Sequence, residues 1–536
     1  MKRKGARSPA PPEKTPTEIL SGAAAPFCAT PTKALTAAQM REVDRRTIEM
    51  GIPGAVLMEN AGHRVVELLA EKFAPLAAHR IAVLCGKGNN GGDGMVVARQ
   101  LFTRFHPRAL HVVLFAAPED LRGDAALNYR MLEVCGCPVL REIPPEAQLA
   151  TIVVDALLGT GISGPAAGLM LDAIRAINHG FPLAKVVAVD FPSGMPSDSG
   201  LPVGEQARAD YTVTFTAPKP AQVLPPNCDA VGELHVAPIG SPPALYDDDD
   251  SINLAVLQPA LFAALLAPRA RDGHKGTYGH VLAIAGSRGK TGAAAMCGMA
   301  ALRAGAGLVT VASDESAIPV IAAHAAELMT EPLDSSRLSS LAAKMDVIAI
   351  GPGLGTEPAT VAMVRRAFAE FAQPMVVDAD ALNALAGSDW SGAGKLRVLT
   401  PHPGEMARLS GKTTADIAAD RVSAARDLAA AHHVTVVLKG ERTLIAFPDG
   451  RVWINPTGTP AMGTGGTGDI LTGMTAGFLA QFRQQPDLAV AAAVYLHGLS
   501  GELGAAALTE KCLNATDLLR YLPAALEECA RHPYRL

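Results

Sequence analysis

Ala461-Met462-Gly463-Thr464-Gly465-Gly466-Thr467-Gly468-Asp469 lies near the C-terminus, and residues 470–482 behind it read as a helix. A glycine-threonine loop running into a helix N-terminus suits an anion, because backbone N–H groups converge there and the helix end adds partial positive charge. Asp469 sets one carboxylate at the same point, where phosphoryl chemistry needs a base. The loop predicts that this half of the chain handles nucleotide phosphates. A second glycine-rich loop, residues 86–94, lies far upstream in a separate domain.

Working outward from the first loop, short apolar β-branched runs alternate with helical patterns, the signature of parallel α/β domains. Strands are expected at 280–285, 308–312, 347–350, 375–378, 397–399 and 434–438, with Ala-rich helices between them. Upstream, strands are expected at 81–85, 111–115, 152–155, 185–190 and 211–215, and helices at 36–50 and 56–72. The pattern fails after Val236, where a Pro-rich stretch leads into the solvated acidic run Asp247, Asp248, Asp249 and Asp250. The organisation expected is a disordered tail at 1–35, a domain at 36–240, a linker at 241–250 and a domain at 251–536. The halves share a class but not their motifs.

With 536 residues, the chain is too long for one core. Its 49% hydrophobic content excludes global disorder, and a net charge of −5 argues against a nucleic-acid surface. Eight scattered cysteines with no CxxC pair point to a reduced, cytoplasmic protein. The apolar stretches 254–268 and 488–508 are broken by Gln258 and by His497 and Glu502, so no membrane span is expected. The N-terminus carries Lys2, Arg3, Lys4 and Arg7 but no apolar run behind them, which is not a secretory signal.

The upstream loop reads Cys85-Gly86-Lys87-Gly88-Asn89-Asn90-Gly91-Gly92-Asp93-Gly94. Its five glycines are expected to permit positive φ and close approach of a ligand. It lacks the dinucleotide register and the closing Gly-Lys-Ser/Thr of a Walker loop. Asp155-Ala156-Leu157-Leu158-Gly159-Thr160-Gly161-Ile162-Ser163-Gly164-Pro165 and Asp190-Phe191-Pro192-Ser193-Gly194 follow two further strands. All three loops emerge at the carboxyl edge of a parallel sheet, where ligands bind. Asn90, Asp155 and Ser193 can converge there as hard oxygen ligands for a cation.

Gly-Asn-Asn-Gly-Gly-Asp-Gly, Asp-Ala-Leu-Leu-Gly-Thr-Gly and Asp-Phe-Pro-Ser-Gly resemble the NAD(P)H-hydrate epimerase family, across about residues 36–240. The resemblance implies a Rossmann-like three-layer domain that interconverts the R and S hydrates of NADH and NADPH. It implies that Asn89, Asn90, Gly91, Gly92 and Asp93, with Gly159, Thr160, Gly161, Ile162, Ser163, Gly164 and Pro165, hold the hydrated nucleotide, and that Asp190 also contacts it. It further implies a potassium ion at Asn90, Asp155 and Ser193. Opening and reclosing C6 needs a proton acceptor, and Asp190 is the candidate, Asp155 being spent on the cation.

In the second half, Gly289-Lys290-Thr291 tempts a Walker reading, but Ile284 stands where that motif needs glycine. The ordered set Gly351-Pro352-Gly353-Leu354-Gly355, Asp378-Ala379-Asp380-Ala381-Leu382-Asn383, Thr400-Pro401-His402-Pro403-Gly404-Glu405, Lys439-Gly440-Glu441-Arg442-Thr443 and the Gly-Thr-Gly-Asp loop is what is specific. It resembles the ribokinase-like fold and, more closely, its ADP-dependent NAD(P)H-hydrate dehydratase branch, from about residue 251 to the end. That branch implies AMP/ADP contacts at Lys439, Gly440, Glu441, Arg442, Thr443 and Gly468. Hydrate contacts are implied at Ala293, Gly353, His402 and Asp469, with Asp469 as base and magnesium assisting. Where that family usually has Asn-Pro-Gly-Met-Ala, this chain has Thr459-Pro460-Ala461-Met462-Gly463, a set of small swaps.

The function expected is metabolite repair: epimerisation of the hydrates, then dehydration of the S form at the expense of ADP. A homo-oligomer free of membrane and nucleic acid is expected. The rivals are a vitamin- or sugar-type small-molecule kinase with an accessory domain, and a non-catalytic nucleotide-sensing module.

Overall fold

The computed structural model describes residues 31–162 and 164–534. The described chain opens with strand β1 (Thr32–Lys33), followed by helices Ala37–Glu49 and Gly54–Lys72. The first of these starts in a capping box between Thr36 and Gln39 and buries Ala37, Met40, Val43 and Thr47, one helical stripe.

The first sheet comprises β2 (Arg80–Cys85), β3 (Ala109–Leu114), β4 (Val139–Leu140), β5 (Ile152–Ala156), β6 (Lys185–Val189), β7 (Tyr211–Phe215) and β8 (Glu233–Ala237). Its order is β4-β3-β2-β5-β6-β7-β8 and every pairing is parallel. This is the doubly wound, Rossmann-like order. Central strands such as Ile152–Ala156 are buried throughout, which is why they read as unbroken apolar runs. The chain leaves β2 toward β3 and returns to β5 on the other side, so winding reverses between β2 and β5.

The second sheet contains β9 (Leu254–Val256), β10 (His280–Ile284), β11 (Leu308–Ser313), β12 (Met329–Pro332), β13 (Val347–Ile350), β14 (Met375–Val377), β15 (Arg397–Leu399), β16 (Thr435–Leu438), β17 (Leu444–Ala446) and β18 (Val452–Ile454), with β1 at its edge. The block β16-β15-β14-β13-β10-β11-β12 is parallel, and winding reverses between β10 and β13. Helix Thr467–Gln481 lies against helix Thr291–Arg303 at very close range. A Cβ added at Gly473 would sit 2.1 Å from the Cys297 carbonyl oxygen, and one at Gly477 2.6 Å from that of Ala301. Helix Pro486–Leu508 is long and apolar enough to cross a membrane, yet 78% of its most apolar window is buried inside the protein.

Both halves are α/β as the sequence implies, with corrections at the seams. Of the tail expected at 1–35, residues 1–30 lie outside the described residues, but Thr32–Lys33 pairs with β9 and Leu35 is fully buried. The stretch 241–250 is not a free linker either. Leu245 packs with Leu35, Met40, Val43, Ala217 and Ile252 in one cluster. Val223 and Leu224 of the first half join the core of the second half, so apolar packing crosses the boundary.

Candidate active sites

In each half the quoted loops gather where winding reverses, the crevice at which open α/β sheets bind ligands. In the first half, Asn89 and Asn90 occupy the first turn of helix Asn89–Gln100. The glycines of this motif do not serve the purpose expected of them: none of residues 86, 88, 91, 92 and 94 is among the positive-φ positions. Three lie inside the helix and are small because it presses on its neighbours. An added Cβ would fall 1.9 Å from the Gly86 oxygen at Gly91, 2.6 Å from Met58 Sδ at Gly92 and 2.5 Å from the Ala156 methyl at Gly94.

Asp155, near the end of β5, is fully buried and accepts hydrogen bonds from Ser193 N at 2.8 Å, Ser193 Oγ at 2.5 Å and Leu157 N at 3.3 Å. Burial pushes its pKa up to about 6, with the Ser193 hydrogen bonds working the other way. No ion pair to it occurs among the described residues. The Leu158 backbone N–H donates to Ser193 Oγ, and Asn90 Nδ2 donates to the Leu158 carbonyl. Asn90 Oδ1 is buried with no partner. A buried carboxylate, an orphaned amide oxygen, a hydroxyl and a carbonyl form an all-oxygen set that fits a hard monovalent cation. Nearby, Ser197 Oγ donates to the Thr160 carbonyl, and a Cβ at Gly159 would lie 3.3 Å from Asn90 Cβ, so all three loops meet. Ser163 lies outside the described residues.

Asp190 sits at φ 60°, one of two strained non-glycine positions here; the other is Thr216 at φ 66°. Its Oδ1 accepts from Lys219 Nζ at 2.6 Å and from Thr214 Oγ1 at 2.9 Å. Lys219 is 1% exposed and also reaches Thr214 Oγ1 and the Phe215 carbonyl, so all three of its N–H donors are engaged. Asp93 and Asp44 complete the group. Burial first, then the charges of Asp190 and Asp44, push Asp93 well above the usual carboxylate range. Burial, with Asp190 adding and Lys219 opposing, raises Asp44 to about 6. Sequence reasoning missed Lys219 and Asp44. The visible signal for Lys219 was a lone lysine between Pro218 and Pro220 just past a strand.

In the second half, the loops after β10 and β13 bring Ala293 and Gly353 together: a Cβ at Gly353 (φ 60°) would touch the Ala293 methyl at 2.9 Å. Ser287 Oγ donates to the Gly353 carbonyl, and Asp380 accepts from Gly355 N and Lys290 Nζ. The anion loop ends in helix Thr467–Gln481, capped by Gly466 at φ 97°, so Gly468 and Asp469 lie in the first helical turn. The helix starts three residues before the expected position, which places Asp469 on it rather than ahead of it. Burial, then the Asp378 charge, raise Asp469 to about 6 while Lys439 opposes.

Lys439 follows β16 and bonds Asp378 Oδ1 at 2.8 Å, with Glu405 Oε2 at 3.8 Å. Glu405 in turn caps the backbone of His402, whose half-exposed ring lies 3.6 Å from it. Gly440 (φ 134°) and Arg442 (φ 50°) shape the hairpin between β16 and β17, and Thr443 Oγ1 donates to the Gly440 carbonyl. A Cβ at Gly468 would lie 3.4 Å from Lys439 Nζ, so the two nucleotide segments adjoin. Glu441 also touches Cys228 of the first half at 3.6 Å. The seven described cysteines are free thiols.

A family model described as NAD(P)H-hydrate dehydratase matches residues 281–524, and one described as YjeF-related protein N-terminus matches residues 54–221. The chain is 44% identical to the bifunctional NAD(P)H-hydrate repair enzyme of Moorella thermoacetica, over 92% of this chain and 96% of that one. It is 37% identical to the enzyme of the same description from Coxiella burnetii, over 90% and 97%. Among solved structures, the ADP/ATP-dependent NAD(P)H-hydrate dehydratase of Bacillus subtilis, co-crystallised with ATP and magnesium, is 35% identical. It covers 51% of this chain and 98% of its own, with a TM-score of 0.47.

Proposed function

The chain belongs to the family of bifunctional NAD(P)H-hydrate repair enzymes, and we propose that its two winding-reversal crevices divide the repair between them. The crevice of residues 36–240 equilibrates the R and S hydrates, and that of residues 251–536 dehydrates the S hydrate with ADP. The observation that carries this is the meeting, in each half, of separately encoded loops around a carboxylate: the buried Asp155 in one and the half-buried Asp469 in the other.

In the first crevice the hydrate lies along Asn89, Asn90, Gly91, Gly92 and Asp93 and the loop 159–165. Asp190 takes the proton of the C6 hydroxyl. The C6–N1 bond breaks as the C6 carbonyl forms, N1 takes a proton, and reclosure on the opposite face gives the other epimer. Lys219 holds the Asp190 carboxylate in place. Asn90, Asp155 and Ser193 would hold potassium, whose charge offsets the buried Asp155.

In the second crevice Asp469 removes the proton from the C6 hydroxyl, which attacks the β-phosphorus of ADP and releases AMP; magnesium, when bound with the nucleotide, would offset the phosphate charge. The N–H groups at the start of helix Thr467–Gln481 face the transferring phosphoryl group, and Lys439 adds a cation. The N1 lone pair then expels phosphate, and loss of a C5 proton restores the C5–C6 double bond. Ala293, Gly353 and His402 bind the hydrate. Lys439, Gly440, Glu441, Arg442, Thr443 and Gly468 bind the nucleotide. The free thiols support a reduced, cytoplasmic setting, and burial of the apolar helix supports a protein free of membrane. A homo-oligomer is part of the proposal and is tested by light scattering.

The test supplies purified protein with mixed hydrates, ADP and magnesium, and follows the near-ultraviolet absorbance of the dihydronicotinamide. Both epimers are consumed, with AMP and phosphate formed in equal amounts. Asp469→Asn stops recovery but not epimer exchange. A stable phosphoester accumulating in place of dihydronicotinamide would establish the kinase instead.

A further inference from the structure

We propose that Asp378 is a positioning residue of the dehydratase site, anchoring Lys439 against the nucleotide and fixing the charge that Asp469 experiences. The inference rests on the reading of the second crevice given above and names a residue to which that reading assigns no role.

Asp378 directly follows β14 and is 1% exposed. Both its oxygens are engaged: Oδ1 accepts from Lys439 Nζ at 2.8 Å, and Oδ2 from Thr472 Oγ1 at 2.7 Å. Thr472 lies one turn after Asp469 on helix Thr467–Gln481 and is fully buried. A Cβ on Gly468 would lie 3.6 Å from Asp378 Oδ2. The carboxylate therefore ties the end of a strand, the lysine at the end of another strand and the helix carrying the base into one unit. Losing it frees a four-carbon side chain at the point where phosphate oxygens are to be met.

The charge around Asp469 comes from few groups. His497, on helix Pro486–Leu508, is pushed down to about 4 by burial and carries no charge at neutral pH. Cys297, on helix Thr291–Arg303, is pushed up by burial and stays a thiol. Asp380 is paired with Lys290. Glu405 lies near Lys439 and caps His402. What remains close is the negative Asp378 and the positive Lys439. A like charge at this range makes Asp469 harder to ionise and a stronger base once ionised. Asn at 378 removes that repulsion and leaves Lys439 opposed only by Glu405, so both changes favour ionised Asp469. The acid limb of the rate profile should therefore move to lower pH.

The experiment measures kcat and KM for ADP against pH in the full chain, with ADP binding measured separately by calorimetry. Asp378→Asn is expected to shift the acid limb of kcat down by on the order of one pH unit. It should also weaken ADP binding by roughly two- to tenfold, the cost of ordering the freed Lys439 side chain on binding. Thr472→Val leaves the Asp378 charge in place but loosens its seat, so it leaves the limb where it is and weakens ADP binding by less, and Thr472→Ser restores that binding. A limb that stays put in Asp378→Asn with activity merely reduced, or ADP binding unchanged in both Asp378→Asn and Thr472→Val, overturns the proposal. If Asp378→Asn does not fold, ADP binding in the Thr472→Val and Thr472→Ser pair decides. Failure of the wild-type chain to regenerate dihydronicotinamide would count against the parent reading, whereas the calorimetric loss on Asp378→Asn tests the anchor regardless of turnover.

Discussion

Replacing Lys219 by methionine isolates what its pairing with Asp190 contributes. Lys219 is 1% exposed, and the Asp190 side chain is 14% exposed. The ammonium meets Asp190 Oδ1, Thr214 Oγ1 and the Phe215 carbonyl at 2.6, 2.8 and 3.2 Å. Methionine fills much of the volume, so the change is chiefly electrostatic. Removing one partner of a buried pair costs about 3–5 kcal/mol, because the other charge is left uncompensated. Removing both with near-isosteric groups costs far less. Lys219→Met should therefore destabilise the first half by about 3–5 kcal/mol. Lys219→Met with Asp190→Asn should recover much of that loss, a coupling of roughly 2–3 kcal/mol in a double-mutant cycle. The assay is urea unfolding followed by hydrogen exchange at β6 and β7, which reports this half separately from the rest of the chain. Additive single-variant costs, or a Lys219→Met cost below about 1 kcal/mol, would refute the reasoning, since surface pairs contribute no more than that.

Three further outcomes are expected. Asp44, raised to about 6 from 3.8, binds its proton more tightly in the folded state, so stability from this group falls as pH rises from about 4 to about 6. Asp44→Asn should therefore stabilise the protein by roughly 1–2 kcal/mol above pH 7 and not at pH 3, read by denaturant midpoints at the two values. Potassium should raise the melting temperature of the wild-type chain more than an equal concentration of lithium does, and Asn90→Ala should abolish the difference; an equal response in that variant would dismiss the oxygen set as a cation site. Gly466→Ala combines φ 97° with a Cβ 2.6 Å from Met296 Cε, so dehydration should fall at least tenfold while epimer exchange is unaffected. Separate assays of the two steps check it.

The long buried strands were legible because a strand covered on both faces must be apolar along its length, as at Ile152–Ala156. Strands β9, β17 and β18 went unseen: each has three residues, β9 is ordered by β1 and β18 far away in sequence, and β17 and β18 form a hairpin too short to show an alternating pattern. Strand β1 was read as tail because its two residues pair with β9, more than 200 positions away in sequence. The helix after the anion loop was read three residues late, because glycine and threonine are poor helix formers and tertiary contact overrides that preference.

What the sequence determined by itself is the class of both halves and the chemistry of their loops, since both are written in local residue order. Only the tertiary structure decided that the glycines of 91–94 serve close packing, that Asp190 is bound to Lys219 and that Asp378 underpins Lys439. These are relations between residues far apart along the chain. A buried carboxylate's behaviour depends on which charge lies within a few ångströms of it, and no local pattern of residue types encodes that distance.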